Sequence, residues 1–300
     1  VEDLAYNAIP DEAVLANLKA DMFKMRHDAK LSQGSCFNAL QQYILYGPEF
    51  IQKTTLTDQQ IEALTSEELL AKVRELLACQ HEVRYYGPAT ETEAAELLKA
   101  GHKMSENMKP LEKKHIKYQP VEKSIVYMAP YDAKQIRYIQ YSNRGEGLDI
   151  TADPHLMLYN EYFGGGMNAI VFQEMREARG LAYSSSARLY MPSHKDDSYM
   201  YYAFIATQND KMQTAIEAFD EIINDMPQSE TAFNIAKEAL IGRLRTDRVT
   251  GRRILSQYIS DRELGVTEPR DKQVFEVAQT LTLDDVKKTQ EKWVKGRTYV

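Results

Sequence analysis

What this sequence has little of limits it first. It carries only two cysteines, Cys36 and Cys79, in 300 residues. Two thiols build neither a disulfide framework nor a four-cysteine zinc site, so they fit a reducing compartment or free thiols in a secreted protein. No stretch approaches the about 18 consecutive apolar residues of a membrane helix, so no membrane span is expected. Positive charge is also short: 37 Lys and Arg stand against 44 Asp and Glu, a net charge of -7. That balance argues against a nucleic-acid partner, because backbone binders concentrate cations. No basic and apolar leader opens the chain, so no targeting segment is expected within it. Cytoplasm and periplasm both remain compatible.

Chemical motifs are equally sparse. The six histidines are His27, His81, His102, His115, His155 and His194. No two stand four apart, where a helix would bring both imidazoles to one face, and neither H-E-x-x-H nor H-x-x-E-H occurs. Each reads as a surface or packing histidine, and no metal ligands are assigned in this chain. There is no G-x-x-x-x-G-K-[ST] and no G-x-S-x-G, which removes the phosphate loop and the nucleophile elbow.

What is present describes a folded chain. Hydrophobic residues make up 43% and charged residues 27%, which excludes wholesale disorder. Tyrosine is abundant at 19 against a single Trp, which suits half-buried strands whose hydroxyls reach water.

The chain also repeats itself. Ala39-Leu40-Gln41-Gln42-Tyr43-Ile44 matches Ile254-Leu255-Ser256-Gln257-Tyr258-Ile259 at four of six positions, at an offset of 215. Upstream, Glu12, Lys19, Met22 and Phe23 face Glu230, Lys237, Leu240 and Ile241 at an offset of 218. Downstream, Leu64 to Leu69 faces Leu281 to Val286 at 217. So long a period is a duplicated domain rather than a solenoid. The second copy opens near Lys123, so the first would begin about 94 residues before Val1 by the same offset. The expected organisation is the rear part of a first domain over 1–101, a lysine- and proline-bearing linker over 102–121, and a nearly complete second domain over 122–300 whose last strand is cut short.

Periodicity places the elements. In the first copy, Asp11 caps a helix over 12–30 with Val14, Leu15, Leu18, Met22 and Met25 on one buried stripe. Further helices cover 36–46 and, from a cap at Thr65 or Ser66, a stretch burying Leu69, Leu70, Val73, Leu76 and Leu77. A strand is expected over 82–86 and a short helix over 91–100. The linker's Lys109, Lys113, Lys114 and Lys117 read as a solvated face. In the second copy, strands over 124–129 and 135–142 form a hairpin around a turn at 130–133. Helices over 154–163 and 168–178 flank Gly164-Gly165-Gly166. Strands over 182–190 and 198–206 follow, then helices over 210–226, 230–247, 252–264 and 284–294. Strand pairs interrupted by helix pairs predict an α+β fold, a mainly antiparallel sheet packed with helices, in tandem homologous domains with the first truncated.

The richest segment runs Phe163-Gly164-Gly165-Gly166-Met167, then Phe172-Gln173-Glu174-Met175-Arg176-Glu177-Ala178-Arg179-Gly180-Leu181-Ala182-Tyr183-Ser184. It resembles the C-terminal-domain signature of the pitrilysin/insulinase-type zinc metallopeptidases, a family that includes the processing peptidases. The resemblance implies two halves closing around a peptide chamber. One half carries H-x-x-E-H and zinc; the other reaches across with an Arg and a Tyr seven residues apart. In this sequence the pair falls on Arg176 and Tyr183, with Gly164, Gly165 and Gly166 as substrate contacts. Donors opposite a metal-activated water would stabilise the oxyanion of peptide hydrolysis. The local alternative pairs Arg176 with Glu174 or Glu177 and packs Tyr183 in a strand, with Arg179 as the next candidate.

The departures from the family pattern carry equal weight. The zinc motif is absent, and no glutamate stands near Lys19 and Asp21 where the resemblance would place a third ligand. The resemblance therefore implies the non-zinc half, inactive by itself, with zinc supplied upstream in the same polypeptide or by a partner subunit, and a peptide as substrate. Two alternatives stay open: a structural or interaction homologue that has lost catalysis, and an unrelated α+β binding module.

Overall fold

The computed structural model describes residues 2–102, 107–112, 115–268 and 270–300. Lys113 and Lys114 of the expected linker lie outside the described residues. Two compact units are present: Val1–Ile116 with Gly251–Leu255, and Lys117–Thr250 with Ser256–Val300.

In the first unit every described regular element is helical: α1 Glu2–Asn7, α2 Glu12–Lys30, α3 Gln33–Tyr46, α4 Pro48–Thr54, α5 Asp58–Ala63, α6 Ser66–Leu77 and α7 Glu91–Gly101. Caps set their starts. The Asp11 carboxylate accepts from Val14 N at 3.0 Å, and Thr57, Thr65 and Thr90 each form a reciprocal capping box with the residue three positions on. Gly47, at φ 75°, turns the chain between α3 and α4, and Pro48 opens α4 where its missing N–H costs nothing.

The expected core of this unit is corrected. Leu15 is buried, but Val14, Leu18 and Met25 on the same helix are 62%, 49% and 61% exposed. On α6, Val73 and Leu76 are exposed, while Leu69, Leu70 and Leu77 are half-buried. An apolar stripe is buried only when a second layer lies over it, and no strand is present among the described residues of this unit. The expected strand over 82–86 is not found among the described residues, and Val83, Tyr85 and Tyr86 are exposed.

The second unit holds β1 Gln135–Ser142, β2 Ser184–Tyr190 and β3 Met200–Gln208 in the antiparallel order β1-β3-β2. Its helices are α8 Asp153–Phe163, α9 Ile170–Phe172, α10 Met212–Asn224, α11 Glu230–Thr246, the part of α12 Arg252–Leu264 from Ser256 on, α13 Arg270–Ala278 and α14 Leu283–Trp293. The helix α13 was not anticipated. Alternation along the strands selects one face: Ala187 and Leu189 of β2 join Tyr201, Ala203 and Ile205 of β3 in a single core with Leu156, Tyr159 and Phe163 of α8, Phe219 and Ile222 of α10, and Trp293 of α14. This is an α+β fold.

The expected 124–129/135–142 hairpin does not form. The edge of β1 is taken instead by the last residues of the chain: Tyr141 N donates to Val300 O at 2.8 Å, and Val300 N to Tyr141 O at 2.9 Å. Ile125 N then donates to Tyr299 O at 3.3 Å, so the 124–129 stretch lies one position further out.

Five of the tyrosines depart from expectation, while Tyr138 and Tyr202 on the strands are half-buried. Tyr141, Tyr159, Tyr162, Tyr199 and Tyr201 are fully buried rather than reaching water. Most hydroxyls are satisfied internally: Tyr141 donates to Gln119 O at 3.0 Å, Tyr162 to Pro227 O at 2.8 Å, Tyr199 to Asp149 O at 2.6 Å, and Tyr159 to the Gln290 side chain.

Candidate functional site

The glycine-rich segment leaves α8 and enters the site. Gly164 N donates to Asn160 O at 3.2 Å and ends the helix. A Cβ on Gly164 would sit 1.8 Å from Ala187 O of β2, and one on Gly165 would sit 2.7 Å from Asn160 O, whereas a Cβ on Gly166 would meet nothing within 4 Å. The first two glycines thus allow backbone to pass against backbone. Buried Asn160 completes the junction: its Nδ2 donates to Leu189 O at 2.9 Å, and its Oδ1 accepts from Leu189 N at 2.8 Å. That side chain supplies the edge of β2 with the two bonds a further strand would make.

After α9 the helix widens into a π-turn over Gln173–Ala178, where a continuous α-helix was expected. Arg179 N donates to Glu174 O at 3.2 Å, five residues back, and Leu181 N to Met175 O at 2.9 Å. Gly180, at φ 59°, reverses the chain, and Tyr183 N donates to Ala206 O at 3.0 Å at the start of the sheet. The π-turn adds one residue to the turn.

Arg176 and Tyr183 meet across this reversal. The Arg176 guanidinium carbon lies 5.8 Å from the centroid of the Tyr183 ring and 5.0 Å from that of Phe172, inside the reach of cation–π attraction. Tyr183 is 75% exposed and the Arg176 side chain 47% exposed, so both present donors to solvent. The Arg176 Nε is 3.6 Å from the Glu177 carboxylate, a loose ion pair. Glu174 faces Arg179 instead, at 3.5 Å.

Arg179 is held differently. Its Nη1 donates to the Glu221 carboxylate of α10 at 2.7 Å. Hydrogen bonding to that carboxylate pushes the Arg179 pKa up, and the guanidinium holds Glu221 below the usual carboxylate range. Lys211 Nζ caps the Gly180 carbonyl at 3.3 Å. Arg179 therefore ties the turn to α10, and Arg176 is left as the arginine that faces out. The π-turn and this tie were missed from sequence, because Arg179 and Glu221 stand 42 residues apart and no local spacing signals the pair.

No group of three or more His, Cys, Asp or Glu able to hold a metal is present among the described residues. No described helix is long and apolar enough to cross a membrane.

Comparison with known proteins gives this geometry a setting. The family profile described as the Peptidase M16 inactive domain matches residues 82–240. No curated protein matches the sequence. Among solved structures, the chain is similar to the peptidase M16 inactive domain from Pseudomonas fluorescens, at 18% identity and a TM-score of 0.71, covering 97% of this chain and 69% of that one. It is similar to the ferredoxin protease FusC, solved in complex with Arabidopsis ferredoxin, at 13% identity and a TM-score of 0.69, covering 100% of this chain and 34% of that one. The periplasmic protease PqqL from Escherichia coli gives 14% identity and a TM-score of 0.65, with 96% of this chain and 32% of that chain covered. The chain thus spans about a third of the length of the two proteases.

Proposed function

This chain belongs to the family of the peptidase M16 inactive domain, and we propose that it is the substrate-binding, non-zinc half of a zinc metalloendopeptidase that cuts peptides in an enclosed chamber. The observation that carries the proposal is the pair of outward-facing donors, Arg176 and Tyr183, stacked across the Gly180 reversal. A guanidinium and a phenol fixed side by side suit a carbonyl oxygen that gains charge during hydrolysis. Their partners are already arranged: Phe172 supports the guanidinium, and the Arg179–Glu221 tie holds the turn. Preorganisation of this kind removes the cost of arranging donors during the reaction. Gly164, Gly165 and Gly166 offer the peptide a backbone contact, and Gly164 also seats α8 on β2.

The described residues of this chain offer neither the H-x-x-E-H motif nor a three-ligand group for a hydrolytic zinc. The metal therefore belongs to the other half, in the same polypeptide or a partner subunit. By the same reading, 1–101, 102–121 and 122–300 are the rear of one homologous domain, a linker and a second domain.

The test is kinetic. In the assembled or full-length enzyme, Arg176→Ala and Tyr183→Phe should each lower kcat/KM by roughly 10²–10³, the effect of removing one oxyanion donor. Unchanged kcat/KM in Tyr183→Phe would overturn the assigned role. No proteolysis in any assembly would favour a structural or interaction homologue.

A further inference from the structure

Two histidines that the sequence keeps 21 positions apart come together in the first unit. His81 Nε2 lies 2.7 Å from His102 Nε2, and the rings stand nearly perpendicular at 86° with centroids 4.9 Å apart. His81 Nδ1 lies 2.8 Å from the Cys79 carbonyl oxygen. A carbonyl only accepts, so Nδ1 carries the proton and Nε2 of the neutral ring presents its lone pair. Metal-ligating imidazoles are oriented in this way, one ring N–H to a backbone carbonyl and the other nitrogen to the ion.

Both rings stand on anchored backbone. Residues around Cys79 and Lys109 form a short parallel bridge, with Gln80 N donating to Lys109 O at 2.7 Å and Lys109 N to Ala78 O at 3.1 Å. His102 caps the C-terminus of α7, and its N–H reaches Leu98 O at 2.7 Å. The carbonyl end of a helix carries partial negative charge, which favours a cation there.

We propose that His81 and His102 bind an imidazole-preferring divalent transition-metal ion, namely zinc, nickel or copper(II), with water in the remaining positions. Two imidazole nitrogens about 2.0–2.1 Å from one tetrahedral ion stand roughly 3.3 Å apart, so the rings part slightly on loading. His102 binds through Nε2 once the lone pair of that nitrogen faces the ion. The site has two protein ligands from two separate segments.

The experiment titrates zinc chloride into this chain by calorimetry and follows copper(II) by electron paramagnetic resonance. One ion per chain is expected, with nitrogen couplings in the copper spectrum. His81→Gln and His102→Gln should each weaken binding at least tenfold and leave the circular dichroism unchanged, while His27→Gln on α2 leaves binding intact. No binding at tenfold metal excess, or binding that survives both substitutions together, overturns the site.

Discussion

Lys19 and Lys237 make the same bond in two different units. Lys19 Nζ donates to Leu64 O at 2.6 Å, and Lys237 Nζ donates to Leu281 O at 2.8 Å. The donors are 218 apart and the acceptors 217, the offsets of the sequence repeat. The caps recur as well. Asp11 and Ser229 cap α2 and α11, and the capping boxes Thr65/Glu68 and Thr282/Asp285 open α6 and α14. Bonds repeated at offsets of 217 and 218 fit the proposed duplication, since the matched residues also make matching contacts.

The lysine bond predicts a stability effect. Lys237→Met should destabilise the second unit by about 1.5–3 kcal/mol, because a charge-assisted bond is lost and the carbonyl of buried Leu281 loses its donor. Urea denaturation followed by tryptophan fluorescence reads this directly, since Trp293 lies on α14. A loss below half a kcal/mol would show that water replaces the lysine.

A second prediction concerns Asp153 and Arg270. Asp153 is 1% exposed at the start of α8, its Oδ1 has no partner, and its Oδ2 accepts from Arg270 Nε at 2.9 Å. Burial raises its pKa, and Arg270 works against that rise. An acid with a raised folded pKa binds protons more readily in the folded state, so its contribution is full below the unfolded value and lost as pH rises through the folded value. Arg270→Met removes the opposing charge and pushes the carboxyl higher still. The gap in stability between wild type and variant should therefore widen from about pH 4 to pH 8, to about 3–5 kcal/mol. A gap independent of pH would mean that Asp153 does not titrate with Arg270.

The glycines give a paired test. Gly164→Ala forces a methyl into the Ala187 carbonyl and should cost about 1–3 kcal/mol or more. Gly166→Ala meets open space and should stay within about 0.5 kcal/mol. Thermal unfolding of the two variants should separate them clearly, and equal melting temperatures would refute the close approach of α8 to β2.

The Arg179 tie is tested by exchange rather than by global stability, because exposed ion pairs contribute little. Arg179→Ala should speed hydrogen exchange at Leu181 and Ala182, whose amides donate to Met175 O at 2.9 and 3.2 Å. Amides of β1 should not change. Unaltered exchange at Leu181 would mean that the turn holds without its link to α10.

Local signals were legible in the residues. Caps at Asp11 and at Thr65 or Ser66 and apolar spacing placed most helices within a few positions, because a helix satisfies its own backbone and needs only a start, a stripe and a stop. The order of α+β elements and the family signature around Arg176 and Tyr183 were legible for the same reason: they are carried by contiguous residues. Tertiary structure decided everything that depends on a partner distant in sequence. A strand exists only where another takes its bonds, so Gln135–Ser142 formed on β3 while 124–129 was displaced by Tyr299–Val300. An apolar stripe is buried only beneath a second layer, so Val14 and Leu18 remain exposed on a well-formed helix. The meeting of Arg176 with Tyr183 needed a π-turn and a left-handed glycine, and that of His81 with His102 needed a bridge at Cys79. The sequence determined which segments fold as helices, and long-range pairing alone decided which side chains meet.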